Sequence, residues 1–301
     1  MKKSVTFKNS NLKMSGNLFL PDGIDESKKY PAIVFVHPVG GVKEQTSGLY
    51  AERLSKCGFI TLAFDASHQG ESEGKPRFLE DPRARVEDVR CAVDYLTTIP
   101  FVDEERIGAV GICGGGGYTI NAAQTEHRIK AVAGISAVDI GRAFREGWTG
   151  GNPVSEQIKV LEAVAKQRTA EANGAEPMYV PYVPNEVDEN TIQDMAEGYE
   201  YYNTPRGQHP NSTNLCLFTS YDRILAFTAF EHIETLLTQP ILLIAGSEAG
   251  SRWHSENAYK LAKGPKDLFI VEGATHMAMY DVQEYVNQTV TKLNEFFYKY
   301  L

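Results

Sequence analysis

Short apolar runs alternate along this chain with stretches in which apolar residues recur every three to four positions. The second pattern is clearest at Val86, Val89, Val93 and Leu96, which share one helix face. This alternation is typical of a mostly parallel sheet flanked by helices, so we predict an α/β fold. The predicted strands are Ser4–Lys8, Leu12–Leu20, Pro31–His37, Phe59–Asp65, Ile107–Cys113, Ile129–Ser136, Pro240–Ala245 and Asp267–Val271, the first two as antiparallel edge strands.

The alternation stops for about a hundred residues, between roughly Asp139 and Gln239, and then resumes. This stretch is polar, mixed and rich in tyrosine, and it is too long to be a plain loop in a compact domain. We therefore predict a largely helical cap at residues 139–239, inserted into a core formed by residues 1–138 and 240–301. Beyond the cap we expect a helix at Ser255–Ala262 and a last helix with Val282, Val286, Val290, Leu293 and Phe297 on one side.

Composition narrows the classes of partner. The 301 residues carry a formal net charge of −9, which gives no electrostatic attraction to nucleic acid or to anionic membranes. We see neither an apolar run long enough to span a membrane nor a signal peptide. The four cysteines show no metal-binding spacing, so we expect no metal, no cofactor and a cytoplasmic protein.

The strongest chemical signal is Cys113, in the run Gly111–Gly115 that follows a predicted strand and precedes a predicted helix at Gly116–His127. The pattern Gly-x-Cys-x-Gly is that of a nucleophile elbow with cysteine at its centre. A buried structural cysteine is the alternative interpretation. Four consecutive glycines disfavour it, because glycine at a helix start is costly unless something must approach the backbone closely. The glycine patterns of dinucleotide sites and P-loops do not fit.

A nucleophilic thiol needs a base, and His276 is the candidate. It follows the last predicted strand, and hydrolases of this architecture place their histidine after the nucleophile in chain order. For the acid that orients the histidine we predict Glu248, the only carboxylate in the loop after the strand Pro240–Ala245. Asp222 and Asp139 are the reserve candidates, and a cysteine–histidine pair that works without an acid also stays open.

An oxyanion hole needs two N–H donors. Gly114, directly after the nucleophile, should provide one. The other should come from the loop His37–Gly41, where Pro38 has no N–H and Val39 is the first usable donor. An ordinary glycine turn is the alternative for this loop.

These segments together resemble the α/β-hydrolase superfamily, and within it the dienelactone-hydrolase-like branch, which uses a cysteine nucleophile. The resemblance rests on the elbow at Cys113, the loop His37–Gly41 and the segment Gly273–His276, and the stretch Asp65–Ser72 is similar to one that many such proteins carry after the fourth strand. It implies an eight-stranded core, an active site at the carboxyl ends of the strands, and a Cys-His-Asp/Glu triad. The chain departs from the family where Ala249 and Gly250 stand in place of a frequent aspartate.

The expected function is hydrolysis of an ester, lactone or thioester of a small-molecule acyl substrate through an acyl-enzyme. Acyl transfer to a second substrate and cleavage of a C–C bond by the same machinery are alternatives. A non-catalytic binding protein on a hydrolase scaffold is another. We expect no nucleic-acid or membrane partner, and the oligomeric state, including a homo-oligomer, stays open.

Overall fold

An eight-stranded sheet runs through the centre of the computed structural model, which describes residues 1–301. Its strand order is β1-β2-β4-β3-β5-β6-β9-β10. The pairs β1–β2 and β2–β4 are antiparallel and all other neighbours are parallel. The predicted fold class is therefore confirmed. The strands are β1 Lys2–Asn9, β2 Leu12–Phe19, β3 Tyr30–Val36, β4 Ile60–Phe64, β5 Val102–Ile112, β6 Ile129–Ile135, β9 Ile241–Gly246 and β10 Lys266–Val271.

Five helices connect these strands or follow them. They are α1 Thr46–Ser55, α2 Pro82–Thr97, α3 Gly114–Ala123, α9 Arg252–Leu261 and α11 Gln283–Tyr300, and a short helix α10 spans Ala278–Asp281. Helix α3 begins two residues earlier than predicted, because the glycines that disfavour a helix are tolerated in its first turn. It ends at Ala123, and His127 lies beyond it.

The segment that was predicted to form a cap contains five helices and a pair of two-residue strands. These are α4 Ile140–Glu146, α5 Val154–Ala172, α6 Gln193–Asn203, α7 Tyr221–Leu225 and α8 Ile233–Leu236, with the strands β7 Tyr179–Val180 and β8 Cys216–Leu217 paired antiparallel. The segment thus contains more helix than strand, and its standing as a separate unit stays a prediction. None of the helices in the structure is both long enough and apolar enough to cross a membrane.

The apolar side chains form two clusters, one on each face of the sheet. Along β3, Val34 and Val36 belong to the first cluster, whereas Ile33 and Phe35 belong to the second. This alternation follows from the two-residue period of a strand. Because both faces of the sheet are covered, the central strands consist of continuous apolar runs. Polar side chains that can take part in chemistry are therefore found in the loops at the carboxyl ends of these strands.

Candidate active site

Cys113 lies in a sharp turn between β5 and α3. Its backbone has φ 56° and ψ −126°, a conformation that L-residues rarely adopt. Three backbone hydrogen bonds hold it there: its N–H donates to Ile135, and its carbonyl accepts from Gly116 and from Val138, at 2.9 to 3.0 Å. The strained conformation is thus fixed by the neighbouring strand and loop, as expected for a nucleophile elbow.

The glycines around Cys113 are required by close approach of the protein's own backbone. A Cβ at Gly115 would lie 2.5 Å from the carbonyl oxygen of His37, and one at Gly116 would lie 2.7 Å from the Cβ of Ala137. Such distances are shorter than real Cβ atoms show. The glycine run therefore lets the elbow pack directly against the loop after β3 and the loop after β6, rather than only making room for a substrate.

Two backbone N–H groups next to the elbow have no acceptor in the protein. They belong to Val39 and Gly114, neither of which donates a hydrogen bond. The two residues are adjacent, since a Cβ at Gly114 would lie 3.8 Å from the backbone nitrogen of Val39. Gly114 opens α3, where backbone N–H groups point outward and favour negative charge. Both donors can therefore serve an oxyanion that forms at Cys113.

The His37 imidazole fixes the loop that carries Val39. Its Nε2 accepts a hydrogen bond from the Ala66 N–H at 3.0 Å, so its Nδ1 carries the proton and donates to the Pro38 carbonyl at 2.7 Å. Burial holds the pKa of His37 well below its usual value. The buried Arg85 guanidinium adds a hydrogen bond of 2.7 Å to the His37 carbonyl. This loop is therefore preorganised before a substrate binds.

His276 follows β10 and is 1% exposed. Its Nδ1 lies 2.6 Å from the Ser251 hydroxyl, and its Nε2 lies 3.2 Å from the Tyr280 hydroxyl. Burial lowers the pKa of His276 to about 4, while the nearby charge of Asp194 acts in the opposite direction. The imidazole is therefore neutral at physiological pH and able to accept a proton.

The structure does not bring Glu248, the acid expected from the sequence, to His276. The Glu248 side chain is exposed and accepts a hydrogen bond from Ser247, whereas Ser251 occupies the position at His276 Nδ1. The loop after β9 turns so that the residue three positions beyond Glu248 points inward. The reserve candidates have other partners as well: Asp139 caps α4 and accepts from the Ala229 N–H, and Asp222 pairs with Arg168.

Asp194, which was not predicted from the sequence, is the carboxylate whose charge acts on the pKa of His276. It lies on α6, is 7% exposed, and its Oδ2 accepts from Trp148 Nε1 at 2.6 Å and from the Gly250 N–H at 2.9 Å. The Trp148 ring meets the His276 ring edge-on, with centroids 4.8 Å apart. Asp194 comes from the predicted cap, about eighty residues before His276, so no local motif could have identified it.

The Cys113 thiol is 4% exposed. Burial raises the pKa of Cys113 to about 11, and the Tyr280 hydroxyl and the Arg85 charge act to lower it. The Cys113 side chain is therefore a neutral thiol at rest, and a nucleophilic role would require it to lose its proton. All four cysteines are free thiols, and no three histidine, cysteine, aspartate or glutamate side chains cluster as metal ligands would.

Contacts from the predicted cap close the site. The Tyr182 ring lies against Gly40, where a Cβ would come within 2.6 Å of the ring, and Ser212 donates to the Gly40 carbonyl at 2.7 Å. On the other side, the Tyr201 ring packs edge-on against Tyr280 with centroids 5.2 Å apart. A substrate that reaches Cys113 therefore meets aromatic side chains from this segment.

Comparison with known proteins gives a consistent picture. The model of the dienelactone hydrolase family matches residues 14–146. The uncharacterized protein YcjY of Escherichia coli K12 is 43% identical over 301 residues, which cover 99% of this chain and 98% of YcjY. The crystal structure of the hypothetical protein PA2218 from Pseudomonas aeruginosa superimposes with a TM-score of 0.94 at 37% identity, covering 100% of this chain and 94% of that one.

A relative with a stated activity is more distant. The thiohydrolase aneE of Aspergillus aculeatus is 29% identical over 275 residues, which cover 88% of this chain and 83% of aneE. The sheet order and the flanking helices are those of the α/β-hydrolase fold.

Proposed function

We propose that this chain, an α/β-hydrolase enzyme that belongs to one family with YcjY and PA2218 and whose residues 14–146 match the dienelactone hydrolase family, cleaves an activated carboxylic ester, lactone or thioester through an acyl-enzyme on Cys113. The observation that carries the proposal is the elbow itself. The Cys113 side chain projects from a strained turn, and two N–H groups without acceptors, on Val39 and Gly114, lie beside it. A cysteine in the core of a fold needs neither feature.

In the first half of the reaction, Cys113 gives up its proton toward His276 and its sulfur attacks the substrate carbonyl carbon. The carbonyl oxygen gains the negative charge, which the Val39 and Gly114 N–H groups stabilise. His276, now protonated, gives its proton to the leaving alcohol or thiol as the tetrahedral intermediate collapses. The product of this half is a thioester between the acyl group and Cys113.

In the second half, a water molecule replaces the leaving group. His276 takes a proton from this water, and the resulting hydroxide attacks the thioester carbonyl at the same oxyanion site. The acid product leaves and the Cys113 sulfur recovers a proton from His276. Both halves need a neutral imidazole at their start, which the low pKa of His276 provides.

We assign the orientation of His276 to Ser251 and its electrostatic support to Asp194. With the Ser251 hydroxyl accepting from the Nδ1–H at 2.6 Å, Nε2 carries the lone pair that takes up the proton. The Asp194 carboxylate favours the protonated imidazole, because its negative charge raises the pKa of His276. This pair takes over the work for which the sequence suggested Glu248.

Thioesters and other carbonyls with good leaving groups suit this site best. A thiolate is a weak base and expels an amine poorly, so amides are poor substrates. The similarity to the thiohydrolase aneE supports the same class. The free cysteines favour a reducing compartment such as the cytoplasm, where Cys113 stays a thiol.

The experiment is a comparison of two cysteine variants on p-nitrophenyl butyrate and on a short acyl thioester. We expect Cys113→Ala to lose at least ~10³-fold in kcat, as enzymes do without their nucleophile. Cys57→Ala is the matched control, because that cysteine is a half-buried free thiol outside the site, and it should retain more than half of the activity. Full turnover by Cys113→Ala would overturn the proposal.

Acyl transfer is the second candidate, and the burial of the site favours it. Cys113 and His276 are 4% and 1% exposed, so an acceptor that the cap admits can compete with water for the acyl-enzyme. Turnover in the presence of added alcohols, thiols or amines decides between the two. Hydrolysis predicts free acid as the main product, and transfer predicts the new ester, thioester or amide.

A further inference from the structure

The hydroxyl of Tyr280 neighbours both groups that must exchange a proton. It is 3.2 Å from His276 Nε2, and it lowers the pKa of the Cys113 thiol, which belongs to the same buried cluster. Tyr280 is 1% exposed, so this hydroxyl has no access to bulk water.

The position of the Tyr280 ring is held from several sides. Helix α10 places it four residues after His276, and its ring packs edge-on against Tyr201. The preceding Met279 carbonyl accepts from the Tyr50 hydroxyl at 2.6 Å, and the following Asp281 pairs with Arg206 at 2.8 Å. The phenol is therefore built into the site, and moving it away requires breaking these contacts.

The donor and acceptor pattern gives this hydroxyl a direction. When the His276 Nδ1–H donates to Ser251, Nε2 carries a lone pair, and the Tyr280 O–H is the donor next to it. The oxygen of Tyr280 then has a lone pair free for the proton of Cys113. The phenol can then accept a proton from the sulfur and donate its own proton to the imidazole.

We propose that Tyr280 is a catalytic residue that carries the proton between Cys113 and His276. As the sulfur attacks, the S–H bond breaks and its proton passes to the Tyr280 oxygen, while the original Tyr280 proton passes to Nε2. The products are a sulfur bonded to the acyl carbon, an unchanged neutral phenol and an imidazolium. The reverse movement returns the proton to Cys113 at the end of the cycle. This proposal rests on the proposed function, since it assigns the route of the same proton.

The buried surroundings suit the phenol to this work. Burial raises the pKa of Tyr280 well above its ordinary value, so the phenolate is not a stable intermediate of the proton transfer. The two proton movements must therefore take place together. A relay of this kind puts two protons in motion in one step, which a direct contact between Cys113 and His276 does not.

The test uses Tyr280→Phe in the full-length protein, with Tyr95→Phe as the matched control, because Tyr95 is a half-buried tyrosine that stacks on Phe7 outside the site. We expect Tyr280→Phe to lose about 10²-fold or more in kcat with KM changed less than ~3-fold, as loss of a proton-transfer group does. Tyr95→Phe should stay within ~3-fold of the wild type. In mixtures of H₂O and D₂O, the wild-type rate should curve with deuterium content, whereas the residual Tyr280→Phe rate should vary linearly.

Three results would overturn the relay: wild-type kcat in Tyr280→Phe, a linear isotope dependence in the wild type, or an equal loss in Tyr95→Phe. If Tyr280→Phe does not fold, incorporation of 3,5-difluorotyrosine at position 280 keeps the ring and the hydroxyl but lowers the phenol pKa. The relay then predicts that activity falls at a lower alkaline pH than in the wild type, and an unchanged profile contradicts it. An active Cys113→Ala protein would instead refute the proposed function, so the two failures are distinguishable.

Discussion

Replacing Ser251 by alanine tests whether Ser251, rather than the Glu248 expected from the sequence, positions His276. The Ser251 hydroxyl lies 2.6 Å from His276 Nδ1, and both side chains are buried. A hydrogen bond between neutral groups contributes about 1 kcal/mol, and one to a charged group about 1.5–3 kcal/mol. The bond therefore strengthens by about 0.5–2 kcal/mol when the imidazole takes up its proton. Because ~1.4 kcal/mol corresponds to a factor of ten, we expect Ser251→Ala to lower kcat about tenfold.

The assay is steady-state hydrolysis of p-nitrophenyl butyrate by Ser251→Ala and Glu248→Gln side by side, with thermal unfolding to confirm that both variants fold. Glu248→Gln should match the wild type within ~2-fold, since its carboxylate is at the surface. Ser251→Ala should lower kcat with little change in KM, because the bond gains strength only after substrate has bound. The opposite ranking, a slow Glu248→Gln and a normal Ser251→Ala, would refute the reasoning.

Two further predictions follow from the buried charges. Asp194→Asn removes the charge that raises the pKa of His276, so kcat should fall several-fold and the acid limb of the pH–rate profile should move to lower pH. The control Asp188→Asn, on the exposed part of the same segment, should change neither kcat nor the acid limb. An acid limb that does not move in Asp194→Asn would contradict the assignment. Stability should also fall with acid, because burial lowers the pKa of His37, His254 and His276, the last to about 4. These histidines stay neutral in the folded state and gain protons in the unfolded state, so the loss begins as the pH falls below the ordinary histidine pKa of about 6.5. Urea unfolding midpoints at pH 8, 6.5 and 5 measure it, and midpoints that are flat from pH 6.5 to 5 would refute it.

Much of the sheet could be predicted from the chain because its strands are covered on both faces. Short continuous apolar runs such as those at β3, β5, β6 and β9 are typical of strands buried on both faces. Cys113 and its N–H neighbour Gly114 were predictable for a related reason. The elbow is a local motif, in which the strand, the strained turn and the helix are consecutive in the chain.

The partners of His276 could not be predicted in the same way. Which residue of the loop after β9 faces the imidazole depends on how that loop turns, and Ser251 rather than Glu248 points inward. Asp194 and Tyr280 reach the site through the packing of α6 and α10. Neither contact leaves a periodic or spaced pattern in the sequence. The predicted start of α3 lay two residues too late, because the low helix propensity of glycine was considered without the close backbone contacts that require glycine there.

The most direct test of the account is to find where the acyl group resides during turnover. The His276→Ala variant should form the thioester slowly and hydrolyse it more slowly still, so it can be mixed with p-nitrophenyl butyrate, quenched in acid and analysed by intact-mass and peptide mass spectrometry. We predict a mass increase of one butyryl group, located on Cys113 and removed by neutral hydroxylamine. A butyryl group on any other residue, or product release without Cys113, would contradict the account.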